Sequence, residues 1–240
     1  MVEPAPHSAG TIKYHYQFIF ESGEEAEFNI ELDGTSLNLI QKKEPYRYKW
    51  TKLSCCKCPN CTLNEKEHEC CPIALNLVEI IDYFSIFVSS EPVEVVVTAK
   101  ERTYSKKVPL QQGVSSLIGI YMVTSGCPVM EKLKPMVRFH LPFATLEETL
   151  YRAISMFLVS QYFLYRHGGY PELDLKKLYD AYENVKIVNE SFLKRLQTID
   201  TKDSNLKAVV VLDHFAQGVN FSINSKMVDD LYYLFEGYIR

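Results

Sequence analysis

Six of the seven cysteines fall within the 17 residues from Cys55 to Cys71, in the stretch CCKCPNCTLNEKEHECC, together with His68. No other part of the chain concentrates soft, metal-ligating side chains in this way. Cys58 and Cys61 form C-P-N-C, a spacing that lets two thiolates from one tight turn bind one ion. The second pair of ligands must come from His68, Cys70 and Cys71, or from the preceding Cys55 and Cys56. The set Cys58, Cys61, His68 and Cys71, spaced C-x2-C-x6-H-x2-C, has the form of a compact zinc knuckle, and three thiolates with one imidazole suit tetrahedral Zn²⁺. Thiolates repel one another unless a cation neutralises them, so this spacing predicts a zinc centre.

Other chemistries compete for the same residues. An iron–sulfur cluster could take Cys58, Cys61, Cys71 and the distant Cys127, since Cys71 and Cys127 are each followed by proline, a context found after cluster-binding cysteines. Thiol–disulfide chemistry at C-P-N-C normally needs a strand before it and a helix after it within a βαβ unit, and no such pattern flanks the motif. Partly buried free thiols without a ligand are the simplest alternative.

Outside the cysteine stretch, Cys127 in TSGCP and His140 in RFHLPF form a candidate thiol–imidazole pair. The thiol would act as nucleophile or redox group and the imidazole as its base; otherwise they are a small buried hydrophobe and a hydrogen-bonded core imidazole. Arg102, Arg138 and Arg152 sit in apolar or aromatic surroundings and would make an anion pocket if they converged. The spacing of Glu148 and Arg152 favours a local ion pair on one helix instead. Asp213 and His214 are adjacent on a helix and point apart. No glycine-rich phosphate loop, G-x-S-x-G elbow or H-E-x-x-H occurs, which removes the common nucleotide, hydrolase and metalloprotease readings.

The elements around these residues change character along the chain. Residues 1–10, with two prolines and no periodicity, predict a mobile tail. From Thr11 the pattern alternates, with Ile12, Tyr14, Tyr16 and Phe18 on one face and Lys13, His15 and Gln17 on the other. Phe28, Ile30 and Leu32 repeat the alternation, and SLNLIQKK predicts a third strand after the turn at DGT. The segment EPYRYKWTKL, with the only Trp, predicts a fourth extended piece leading into the cysteine loop at 55–72. A helix is predicted after Pro72, then a valine-rich strand around VEVVV, and a helix over GVSSLIGIYMV closed by Gly126. The strongest helix begins at Thr145, where Glu148 completes a capping box. Long helical segments follow to the C-terminus. Strands first and helices later predict an α+β fold, a single domain over 11–240, with a sheet-rich part at 11–109 and a helical part at 110–240.

Composition bounds the partners. Apolar residues make up 47% of the chain and charged residues 23%, as in an ordinary globular protein. A net charge of −4 lacks the basic footprint of a general nucleic-acid binder. The longest apolar run, from Ala153 to Tyr165, is too short to span a bilayer. Clustered cysteines in a chain opening without a secretory signal suit a cytoplasmic protein. QYFLY and LYYLFEGYI carry aromatics on more than one helical face, and such helices must be covered by a core or by another chain. That predicts a homodimer through the helical half.

The blocks CPNC, CCPIALNLVE, ERTYSKKVPLQQGVSSLIGIYMVTSGCP, LKPMVRFHLPFATLEETLYR and SQYF together resemble a bacterial protein family that carries only a domain-of-unknown-function label. The resemblance covers residues 45–220, and SGCP and RFHLPF are its most specific blocks. It implies a cytosolic bacterial protein and draws attention to Cys58, Cys61, Cys71, Cys127 and His140. The reading is therefore a zinc protein with a structural metal and an interaction surface, or a pocket for a protein or small anionic ligand lined by SGCP and RFHLPF. The thiol–imidazole enzyme and the iron–sulfur protein are its alternatives.

Overall fold

The computed structural model describes residues 10–40, 45–199, 202–224 and 227–239. Apart from Gly10, the expected tail lies outside them. Strands β1 (Thr11–Phe20), β2 (Glu25–Asp33), β3 (Pro92–Ala99) and β4 (Thr103–Pro109) form one antiparallel sheet in the order β2-β1-β3-β4. Alternation decides which face is covered: Tyr14, Tyr16, Phe18 and Phe20 of β1, Phe28, Ile30 and Leu32 of β2, and Val93, Val95 and Val97 of β3 are buried. Tyr16 stands opposite Phe28 on one side and Val97 on the other, so these side chains share one apolar surface. The other face carries polar pairs such as Lys13 with Glu31 at 3.4 Å and Ser105 with Glu94 at 2.7 Å, the arrangement expected of an antiparallel sheet with one wet face.

Helices α1 (Pro72–Asn76), α2 (Val78–Phe84) and α3 (Leu110–Val123) lie against the buried face, followed by α4 (Lys134–Arg138), α5 (Leu146–Arg166), α6 (Lys176–Leu196), α7 (Ser204–Asn224) and the short α8 (Glu236–Ile239). The fold is α+β, sheet first and helices later. Helix α3 is buried on nearly every side, with Leu110, Val114, Leu117, Ile118, Ile120 and Met122 all sealed, because the sheet covers one flank and α7 another. Helix α7 in turn packs along α6, and one hydrophobic cluster runs from Tyr14 to Leu231. Among the described residues no helix is long and apolar enough to cross a membrane.

Two predicted extended segments take other forms. After β2 the Asp33 carboxylate accepts from the backbone N–H groups of Thr35 and Ser36, and Leu37 adopts a left-handed φ of 56°. The chain therefore turns sharply, and Leu39 bridges back to Leu32, with Ile40 N–H donating to the Glu31 carbonyl at 2.8 Å; residues 41–44 lie outside the described residues. The Trp50 segment forms a 3-10 turn at Lys49–Thr51, with Thr51 Oγ1 donating to the Tyr48 carbonyl at 2.8 Å. The capping box of α5 forms as expected: Thr145 N–H donates to Glu148 Oε2 at 2.7 Å and Glu148 N–H to Thr145 Oγ1 at 3.2 Å.

The sheet and α3 approach closely at Gly113. A Cβ there would lie 2.7 Å from Val95 Cγ2 and 2.9 Å from Phe18 Cε1, and both neighbours are fully buried. Alanine gains about 1 kcal/mol of helix propensity, whereas overpacking a close-packed contact costs about 1–3 kcal/mol. Gly113→Ala is expected to lower the urea unfolding midpoint despite that gain, and Gly113→Val to lower it further. A raised midpoint for either variant would show that α3 can lift off the sheet at no cost.

Candidate metal centre

The cysteine loop hangs between β2 and α1 and is closed at its base by backbone pairing. Cys71 N–H donates to the Thr51 carbonyl at 2.8 Å, Leu53 N–H donates to the Glu69 carbonyl at 2.9 Å, and Lys52 bridges Cys70. At its tip Cys61 N–H donates to the Cys58 carbonyl at 3.0 Å, the tight turn that C-P-N-C requires. Asn60 fastens this turn to α6, its Nδ2 donating to the carbonyl and side-chain oxygen of Asn184 at 3.0 and 2.9 Å.

Folding brings four thiols around one small cavity of about 20 Å³. Cys58, Cys61, Cys71 and Cys127 line it, with Leu53, Ile73, Val188 and Arg195 among the remaining walls. Cys127 arrives from the far end of α3, where Ser125 Oγ accepts from the Cys127 N–H at 3.2 Å and Gly126 takes a φ of 87°. That conformation is open to glycine and strained for other residues. Cys71 and Cys127 share one local geometry: in Cys71-Pro72-Ile73-Ala74 and Cys127-Pro128-Val129-Met130, the N–H groups two and three residues on are directed at the sulfur. Cys58 also precedes a proline, so three of the four cavity thiols open a Cys-Pro turn.

Burial dominates the acidity of these thiols. It pushes Cys58 up, against the Ser191 hydroxyl, and pushes Cys71 up, against Arg195 and the two N–H groups. It pushes Cys127 up to about 11. Each of these three thiols also feels at least one other thiol of the set as an unfavourable charge. Without a cation they stay protonated at neutral pH, and a nearby cation reverses that preference. Among the described residues no three His, Cys, Asp or Glu side chains already stand in a metal-ligating arrangement. The sulfurs ring the cavity without meeting at one point.

Arg195 is the residue that the sequence did not single out. It is only 2% exposed, its Nη1 donates to the carbonyls of Trp50 and Lys52, and no carboxylate pairs with it among the described residues. Its place on the Val188, Phe192, Arg195 stripe of α6 was the available signal. His68 is exposed and absent from the cavity wall; the half-buried Cys55 and Cys56 and the buried Cys70 are absent from it too. The Cys55 and Cys56 sulfurs lie 4.0 Å apart, and all seven cysteines are free of disulfides.

His140 belongs to a different polar cluster. Its Nε2 lies 2.5 Å from Tyr16 Oη, which is itself 2.8 Å from Ser116 Oγ, and its ring meets Tyr14 edge-on. No hydrogen bond joins it to Cys127 among the described residues. Arg152 donates to the carbonyls of Met136 and Phe139, both at 2.8 Å, rather than pairing with Glu148. Arg138 lies over the Phe139 ring, and Arg102 reaches Tyr104 on the sheet edge. The side chain of Asp213 is engaged by Gln217 within α7 at 2.6 Å.

Fold and site together define an α+β protein with a thiol-lined cavity where the cysteine loop meets α1, α6 and the turn after α3. The chain belongs to the family described as Domain of unknown function (DUF6901), whose model matches residues 12–236. No curated protein and no solved structure matches it.

Burial, with Arg152 nearby, lowers the His140 pKa from 6.5 to about 3. The unfolded chain takes up that proton near pH 6.5 and the folded chain does not, so this group's contribution is present above pH 6.5 and is lost as the pH falls toward 3. At pH 5 the loss amounts to about 2 kcal/mol at most. Urea unfolding at pH 7 and pH 5 should show it, and His140→Gln should have a correspondingly smaller pH dependence. An unchanged dependence in the variant would contradict a neutral buried imidazole.

Proposed function

We propose that this is a zinc protein of the reducing cytoplasm in which Cys58, Cys61, Cys71 and Cys127 hold one structural Zn²⁺ and the stabilised fold serves as a binding module. One observation carries the reading: four thiols surround a single small cavity beside a buried guanidinium that has no carboxylate partner among the described residues. Four soft sulfur donors select zinc or iron–sulfur chemistry over hard cations, and a cavity of about 20 Å³ suits one ion better than a multi-iron cluster. Four thiolates around a divalent cation leave two excess negative charges, and Arg195 supplies a positive charge at that wall. The paired N–H groups at Cys71 and Cys127 would donate to the same thiolates. In this assignment Cys127 takes the place that the sequence spacing offered to His68.

The metal would work by joining the cysteine loop to the turn after α3, two segments far apart in sequence. Binding energy at such a site is folding energy. The high pKa of Cys127 and its separation from His140 favour this structural role over a thiol nucleophile, which needs a lowered pKa and an adjacent base.

Elemental analysis of protein purified without added metal is expected to give one zinc per chain and no visible absorption band. Cys127→Ser should lose most of that zinc, whereas His68→Ala should retain it. A strong chelator should lower stability by several kcal/mol and the thermal midpoint by roughly 10 °C. Iron with a visible band would assign the four thiols to a cluster instead. Zinc lost from His68→Ala and kept by Cys127→Ser would overturn the ligand set.

A further inference from the structure

Helix α5 leaves a long apolar arc uncovered. Leu150, Ala153, Ile154, Phe157 and Gln161 face the core, and no charged residue occurs from Ala153 to Tyr165. Seven large apolar side chains between Tyr151 and Tyr165 are more than a third exposed, including Val159 at 53%, Phe163 at 57% and Tyr165 at 64%. A solvated helix face ordinarily carries charge. The C-terminal segment Met227–Phe235 extends this surface: Phe235 stacks on Tyr151 with ring centroids 6.4 Å apart, and Tyr232, Tyr233 and Leu234 are each more than half exposed.

We infer that this surface is the contact between two copies of the chain, paired about a two-fold axis with their α5 helices antiparallel. Area is the first argument. Half-exposed aromatic and aliphatic side chains offer ~100 Å² each, so the patch presents roughly 1,000 Å² per copy, above the ~800 Å² that each partner contributes to a standard stable interface.

Charge is the second argument. The patch is acidic at one end, where Glu147 opens α5 and the exposed Asp229 and Asp230 begin the C-terminal segment, and basic at the other, where α5 ends in Arg166. Antiparallel pairing sets Arg166 of one copy against Asp229 and Asp230 of the second and opposes the two helix dipoles. A closed two-fold contact uses the same patch twice, so a surface with opposite poles and an uncharged middle fits itself. An anionic membrane would be repelled by the acidic end, and the patch lacks the basic rim of a membrane-bound helix.

Sedimentation equilibrium of the 240-residue chain, purified without added metal, tests this. The expected mass at micromolar concentration is twice 27.7 kDa. Tyr162→Glu combined with Phe163→Glu should give a monomer with unchanged far-UV circular dichroism and zinc content. Arg166→Glu should weaken dimerisation about tenfold, and adding Asp229→Lys and Asp230→Lys should restore it. A single-chain mass at every concentration overturns the inference, whether or not the protein then pellets with phosphatidylserine vesicles. So does a dimer that none of these substitutions weakens.

Discussion

A guanidinium held in the protein interior with no carboxylate partner among the described residues is the constraint on which the cysteine loop depends. Arg195 reaches from α6 to the carbonyls of Trp50 and Lys52, which fixes the backbone segment entering the loop against the helical layer. The two carbonyls engage Nη1 but leave a full charge in the low-dielectric interior. An uncompensated buried charge costs several kcal/mol, and arginine cannot escape by losing its proton. The groups facing that charge from the other side of the cavity wall are thiols. Their burial argues for the neutral form and Arg195 argues for the anion. A divalent cation would reconcile the two, ionising the thiols and placing the surplus negative charge beside the guanidinium.

The same geometry explains why a loop with so little regular structure can be placed firmly. Its base is paired to the 3-10 turn at Trp50, its tip is tied through Asn60 to α6, and its last thiol opens α1. Cys127 closes the ring from the end of α3, the helix wedged between the sheet and α7. A metal at this point would join the loop to α1, α6 and the turn after α3, so its loss would affect stability beyond the loop. The polar cluster at Tyr16, Ser116 and His140 secures the sheet to α3 and to the turn after α4 without any metal.

Much of this was legible in the residues. The alternation in β1 and β2, the valine run of β3 and the capping box of α5 each identify an element and its buried face, because they follow from local periodicity and local hydrogen bonding. The segments that escaped, at Leu37 and Trp50, are shaped by an Asx turn and by contacts with distant residues. C-P-N-C identified the tight turn for the same local reason. The ring of Cys58, Cys61, Cys71 and Cys127 was the set that the sequence offered to an iron–sulfur cluster, and for zinc the spacing favoured His68 because it is near in sequence. Tertiary folding put His68 in solvent and Cys127 on the cavity wall. Arg195 could be seen only as a charge on an apolar stripe, since what it faces lies more than a hundred residues away.

X-ray absorption at the zinc edge, on the full chain purified without added metal, tests the central claim most directly. The account predicts a first shell of four sulfurs at about 2.3 Å and no imidazole contribution. A shell of three sulfurs and one nitrogen at about 2.0–2.1 Å, or no bound zinc at all, would contradict it.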